Sequence, residues 1–150
     1  MAGKSGKTSS ADLGQLGLLL ALGVIFMAHG SQKLFGWFGG PGLSATIQMF
    51  GQMGFQPGAL WGTVAACTEF FGGLAVFVGF RTRIAALFIA IEMLVAAVKV
   101  HLANGFFLNF MMTPGVGHGI EYNVALIGGC LALLFGGSGK YSVECSRCKE

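Results

Sequence analysis

Charge is what this sequence has least of. Only 10% of its 150 residues are charged, nine Lys and Arg against six Asp and Glu, where a soluble domain carries about 25%. That is too little polarity to coat a globule of this size. With 54% apolar residues the chain is not a disordered segment either. Its 26 glycines follow no G-X-Y period, which excludes collagen. The net charge of +3 is small and scattered, which excludes a nucleic-acid footprint and with it a nucleic-acid partner. There is no Gly-x-Ser-x-Gly elbow, no haem-binding C-x-x-C-H, no flavin or iron–sulfur motif and no paired carboxylate site in water. Gly3-Lys4-Ser5, Gly6-Lys7-Thr8 and the segment 136–140 lack the full spacing of a phosphate-binding loop. One compact membrane domain remains.

Four apolar stretches reach or approach the roughly 20 helical residues that cross a bilayer core. They run over about 13–30, 58–80, 84–102 and 122–135. None alternates in polarity as a membrane β-strand does, so the expected fold is all-α, a four-helix transmembrane bundle. No A-x-A cleavage site follows the first stretch, which is therefore read as a retained span. Leu43, Ile47 and Phe50 recur at helical spacing between spans one and two, with Ser44 as a candidate cap. This segment reads as a short interfacial helix, with Trp37, Phe38 and Trp61 as aromatic anchors. The domain layout is then a tail over 1–12, four spans over 13–137 and a second tail over 138–150.

Orientation follows the Lys and Arg count on each side. Lys4, Lys7, Arg81, Arg83, Lys140, Arg147 and Lys149 fall on one side, and only Lys33 and Lys99 on the other. Both termini are expected in the cytoplasm, with Arg81 and Arg83 as structural residues of the tight inner turn.

Two acids stand where a membrane disfavours them. Glu69 is expected ~13 Å into span two and Glu92 ~12 Å into span three, at 1.5 Å per residue. Both are candidates for a proton relay between those spans, although an intramembrane acid also serves as hydrogen-bonding glue. A second set gathers at the outer rim: His29, Gln32 and Lys33 on one face of span one, Lys99 and His101 after span three, and His118, Glu121 and Tyr122 before span four. The plainer reading is a belt of snorkelling side chains. The sharper one is a pocket roofed by Phe106, Phe107 and Phe110, able to hydrogen-bond both carbonyls of a quinone head group. A metal is not expected, because no His pair has i, i+4 ligand spacing and two lysines would repel a cation.

The four cysteines are of two kinds. Cys67 and Cys130 lie inside spans, as small buried apolar groups do. Cys145 and Cys148 form a C-x-x-C in the last residues, half of a zinc site or a candidate redox dithiol, or incidental to a tail.

Several runs together resemble the DoxX family of small bacterial and archaeal membrane proteins. They are His29-Gly-Ser-Gln-Lys33-Leu-Phe-Gly-Trp-Phe-Gly-Gly, Glu69 followed by Gly72-Gly73 and Gly79-Phe-Arg81-Thr-Arg83, His101-x-x-Asn104-Gly-Phe-Phe, and Gly119-x-Glu121-Tyr122. The likeness covers about residues 13–142. It implies a four-helix bundle in the cytoplasmic membrane and an association with membrane redox systems, since the family is named for its similarity to a thiosulfate:quinone oxidoreductase subunit. It carries over His29, Lys33, Glu69, Arg83, His101 and Glu121 as site positions. The C-x-x-C tail departs from the pattern. The expected function is an accessory, non-autonomous subunit of a membrane oxidoreductase with a quinone pocket, its electrons arriving from partner subunits in the bilayer. A purely structural subunit and a small proton-coupled transporter are the alternatives. The absence of an internal repeat disfavours the transporter unless the chain forms a homo-oligomer.

Overall fold

A computed structural model describes residues 9–144. Cys145 and Cys148 lie outside that range. Within it, every regular element is helical. Helix α1 (Ser10–Phe35) opens on a reciprocal cap: Ser9 Oγ accepts the Asp12 backbone N–H at 3.2 Å, and the Asp12 carboxylate accepts the Ser9 N–H at 2.9 Å. It ends at Gly36, whose φ of 72° suits a residue without a β-carbon. Next come α2 (Gly42–Gln52), α3 (Gly58–Val78), α4 (Thr82–Asn104) and α5 (Glu121–Gly136). Helices α1, α3 and α4 are long and apolar enough to cross a membrane, while α5, expected as the fourth span, has 16 residues.

Polarity is arranged inside out. Ser31, Thr46, Glu69, Thr82 and Asn123 are buried, while Leu20, Val24, Phe71, Phe88, Ile91 and Leu94 stand exposed on the rods. Water would penalise that surface and a lipid phase would not, so the chain is a membrane protein. The core joins Leu22 and Phe26 of α1, Val76 of α3, Ile89 and Met93 of α4, and Leu126, Cys130 and Leu133 of α5. Cys130 is fully buried, whereas Cys67 is only half-buried.

Helices α1 and α3 pass so closely that a β-carbon on Gly30 would strike the backbone of Phe70, and one on Gly73 would strike Phe26 and Met27. Small residues permit such a crossing in a membrane, where apolar burial gives no drive between helices. Helix α2 lies on the start of α3, with Gly62 against Ile47. It is pinned to α1 by Thr46, whose Oγ donates to Gly42 O at 2.8 Å and lies 3.3 Å from Lys33 O. Ser44 does not cap it. The helix begins at Gly42 after Pro41, without a side-chain cap, so Ser44 already lies inside the first turn.

Arg81 adopts a left-handed conformation (φ 47°) in the turn before α4. The Arg83 guanidinium lies beside Gly137, at the carboxyl end of α5, where a cation suits the helix dipole. At the same end Gln15 Nε2 donates to Gly136 O at 2.7 Å, and the Glu144 N–H donates to Gly79 O at 3.1 Å.

Two rods are not regular. Residues Thr68–Gly72 of α3 and Ala97–His101 of α4 form π-helical turns. Such turns are rare and recur at functional sites. The first contains Glu69, the second Lys99 and His101.

Candidate functional site

Lys33 and Glu69 meet in the interior. Lys33 Nζ donates to Glu69 Oε1 at 2.5 Å, with 4% of the Glu69 side chain exposed and 22% of that of Lys33. The meeting depends on the close α1–α3 crossing, which sets Gly30 against Phe70, and on the wide turn that presents Glu69. The second carboxylate oxygen, Oε2, is buried and has no hydrogen-bond partner among the described residues.

This pair lines a cavity of about 480 Å³ together with His29, His101, His118, Tyr122 and Asn123, with Phe26, Met93 and Leu126 as apolar wall. The volume lies within the range of small-molecule sites. Two of the histidines have assigned tautomers. His101 Nδ1 lies 3.0 Å from His118 O, and a carbonyl only accepts, so Nδ1 carries the hydrogen and Nε2 of the neutral ring is an acceptor. His118 Nδ1 accepts the Asn109 backbone N–H at 3.2 Å, so its hydrogen sits on Nε2, a donor. The cavity wall therefore combines an imidazole acceptor, an imidazole donor, an ammonium and a carboxylate. Such a set suits an uncharged ligand with polar atoms at opposite ends.

The loop from 105 to 120 closes this end of the bundle. Gly119, Ile120 and Glu121 donate their N–H groups to Phe107 O, Gly105 O and Phe106 O. The Asn109 side chain holds the tip through Thr113 and Val116. The expected phenylalanine roof is not formed: Phe106, Phe107 and Phe110 are exposed, and Leu108 is the loop's apolar contribution to the cavity. Leu108, whose N–H is held by the Glu121 carboxylate, takes the inward position instead.

A family model described as DoxX matches residues 14–102, more than half of the chain. The chain belongs to the DoxX family. The cavity extends beyond that match, since His118 and Tyr122 lie after it. The chain is 34% identical over 100 residues to "Putative oxidoreductase CatD" of Bacillus subtilis (strain 168), covering 67% of this chain and 69% of that one. It is 32% identical over 133 residues to "Inner membrane protein YqjF" of Escherichia coli (strain K12), covering 89% and 91%. No solved structure matches.

Of the site residues read from the sequence, this DoxX chain brings His29, Lys33, Glu69, His101, His118 and Tyr122 to one cavity. Gln32, Lys99 and Glu121 do not line it. Gln32 Nε2 turns back toward Phe38 O at 3.5 Å. Lys99 is exposed on the π-turn. Glu121 Oε2 accepts the Leu108 N–H at 3.1 Å, so it shapes the loop instead. Glu92 lines a separate cavity. Asn123 escaped the sequence reading. It is buried with its Nδ2 3.4 Å from Met93 O, and a lone amide two residues into α5 was the available signal. Among the described residues no three His, Cys, Asp or Glu side chains are placed to hold a metal ion together.

Glu121→Ala should release the Leu108 amide and speed its hydrogen exchange about fivefold, the equivalent of a hydrogen bond worth ~1 kcal/mol. Glu121→Gln keeps an acceptor and should exchange as the parent does. Equal rates in all three proteins would show that the contact does not hold the loop.

Proposed function

We propose that this DoxX-family protein is an accessory subunit of a membrane redox assembly, and that its larger cavity receives the head group of a quinone. Under this reading α1, α3, α4 and α5 form a four-helix transmembrane bundle. Helix α2 lies in the interface, and both termini face the cytoplasm, following the seven-to-two split of Lys and Arg. The observation that carries the reading is the Glu69 carboxylate, tied to Lys33 through one oxygen and buried without a partner at the other. A buried acceptor left open is costly, and a donor group on a ligand would satisfy it.

The residues present suit the group. A quinone, when bound, supplies a carrier for two electrons and two protons. Lys33 Nζ and His118 Nε2–H are donors suited to carbonyl oxygens, while His101 Nε2 and Glu69 Oε2 are acceptors suited to hydroxyls. Glu69 Oε2 can hold a proton, and Lys33 sets the charge against which it is held. Phe26, Met93, Leu108 and Leu126 exclude water from the ring's position. The likeness to a protein named as an oxidoreductase supports a redox role. The chain has no haem, flavin or iron–sulfur motif, so electrons reach the site from a partner.

Purification from native membranes in mild detergent, with mass spectrometry of bound quinones, tests this. Near-stoichiometric quinone is expected, falling about tenfold or more in Lys33→Met and His118→Ala proteins that still fold. Equal quinone in parent and variants would leave a scaffold subunit, and so would none in any of them.

A further inference from the structure

A second cavity, of about 420 Å³, lies where α2, α3 and α4 meet. Phe50, Phe55, Trp61 and Phe88 wall it, with Thr68 and Glu92 as its polar lining. The aromatic wall is fixed in place: the Phe50 and Phe55 rings sit 5.4 Å apart, and Trp61 Nε1 donates to Gln56 O at 3.3 Å. Trp61 and Phe88 are also exposed on the outer surface of the rods, so the cavity opens sideways toward lipid. Among the described residues no Lys, Arg or His lines it. Glu92 Oε2 is buried there without a hydrogen-bond partner among the described residues. Lys33, the cation of the neighbouring cavity, is engaged by Glu69. Glu92 is thus the acid of this layer that no cation holds in an ion pair among the described residues.

We propose that this second cavity binds a lipophilic organic cation, entering from the bilayer, with its charge on Glu92 and its apolar groups against the aromatic wall. A carboxylate beside aromatic faces attracts a cation twice, through its charge and through the ring quadrupoles, and most strongly where water is excluded. A neutral acyl chain would fill the same space but leave Glu92 unanswered. The proposal does not rest on the quinone reading, since Glu92 does not line the larger cavity.

The test uses the full chain in phosphatidylcholine nanodiscs, with empty nanodiscs as background, and equilibrium dialysis of tetraphenylphosphonium against the similarly shaped anion tetraphenylborate. Saturable binding of the cation is expected, with the anion at background. Glu92→Asp should retain binding, while Glu92→Gln should weaken it about tenfold or more, the loss of a charge-assisted contact in a dry site. Absent cation binding, equal binding of the anion, or equal binding by the Gln variant would overturn the proposal and leave an acyl-chain slot. Should the Gln variant fail to fold, the cation-to-anion preference of the parent protein decides alone.

Discussion

Lys33→Met should cost about 3–5 kcal/mol of stability, and adding Glu69→Leu should return most of it. The single change strands a carboxylate whose side chain is 4% exposed, and an unpaired buried charge carries a penalty of that order. The stranded acid can take up a proton, which holds the loss toward the lower end of the range. The double change replaces both partners by apolar groups of similar length, which is commonly neutral or stabilising. Unfolding of the four proteins of the cycle in detergent gives the coupling energy directly. A double variant as weak as Lys33→Met would show that the pair is not what the single change disrupts. The double variant also separates stability from binding: it should fold well and lose quinone, because both polar groups are gone from the cavity.

Gly30→Ala should destabilise by about 1–3 kcal/mol, the usual cost of overpacking a tight contact. Its β-carbon would land on the backbone nitrogen and α-carbon of Phe70, and a backbone atom cannot swing aside as a flexible side chain can. Helices α1 and α3 would have to part, which also draws Lys33 away from Glu69. Gly17→Ala is the matched comparison. It makes the same change in the same helix, but at a position with nothing within 4 Å. There the gain in helix preference, roughly 0.5–1 kcal/mol, stands unopposed. Melting temperatures in one detergent should move in opposite directions. Two variants that melt together would remove the close crossing as a determinant of stability.

The helical class and the positions of the long rods were legible because 54% apolar residues in unbroken, non-alternating runs permit little else. Much of the site was legible too, since polar residues at membrane depth are few and stand out. The union of Lys33 with Glu69 was not. Counting depth along each span set Lys33 at a rim and Glu69 near the middle, as though α1 ended where α3 begins. In fact α1 runs on to Phe35, and the first turns of α3 lie beside α2, with Gly62 against Ile47. That brings Glu69 level with the last turns of α1. Glu121 and Gln32 carry the right chemistry at the right end, but backbone groups of nearby loops claim them. Side-chain identity reveals a polar group and not which neighbour reaches it first. The two π-turns left no trace in the residues that form them.

The turn at Thr68–Gly72 gives α3 one residue more than a regular α-helix would place in that length. A single extra residue rotates everything beyond it by about 100°. Before the turn, Gly58 and Gly62 present a smooth stripe to α2; after it, Gly73 and Phe77 meet α1. One rod thus keeps two partners in phase on different sides, and Glu69 stands at the phase change. Excising one residue there would restore a regular helix and give back a backbone hydrogen bond, but it would force α3 to choose between α2 and α1. The irregularity is the joint that lets a single helix serve both faces.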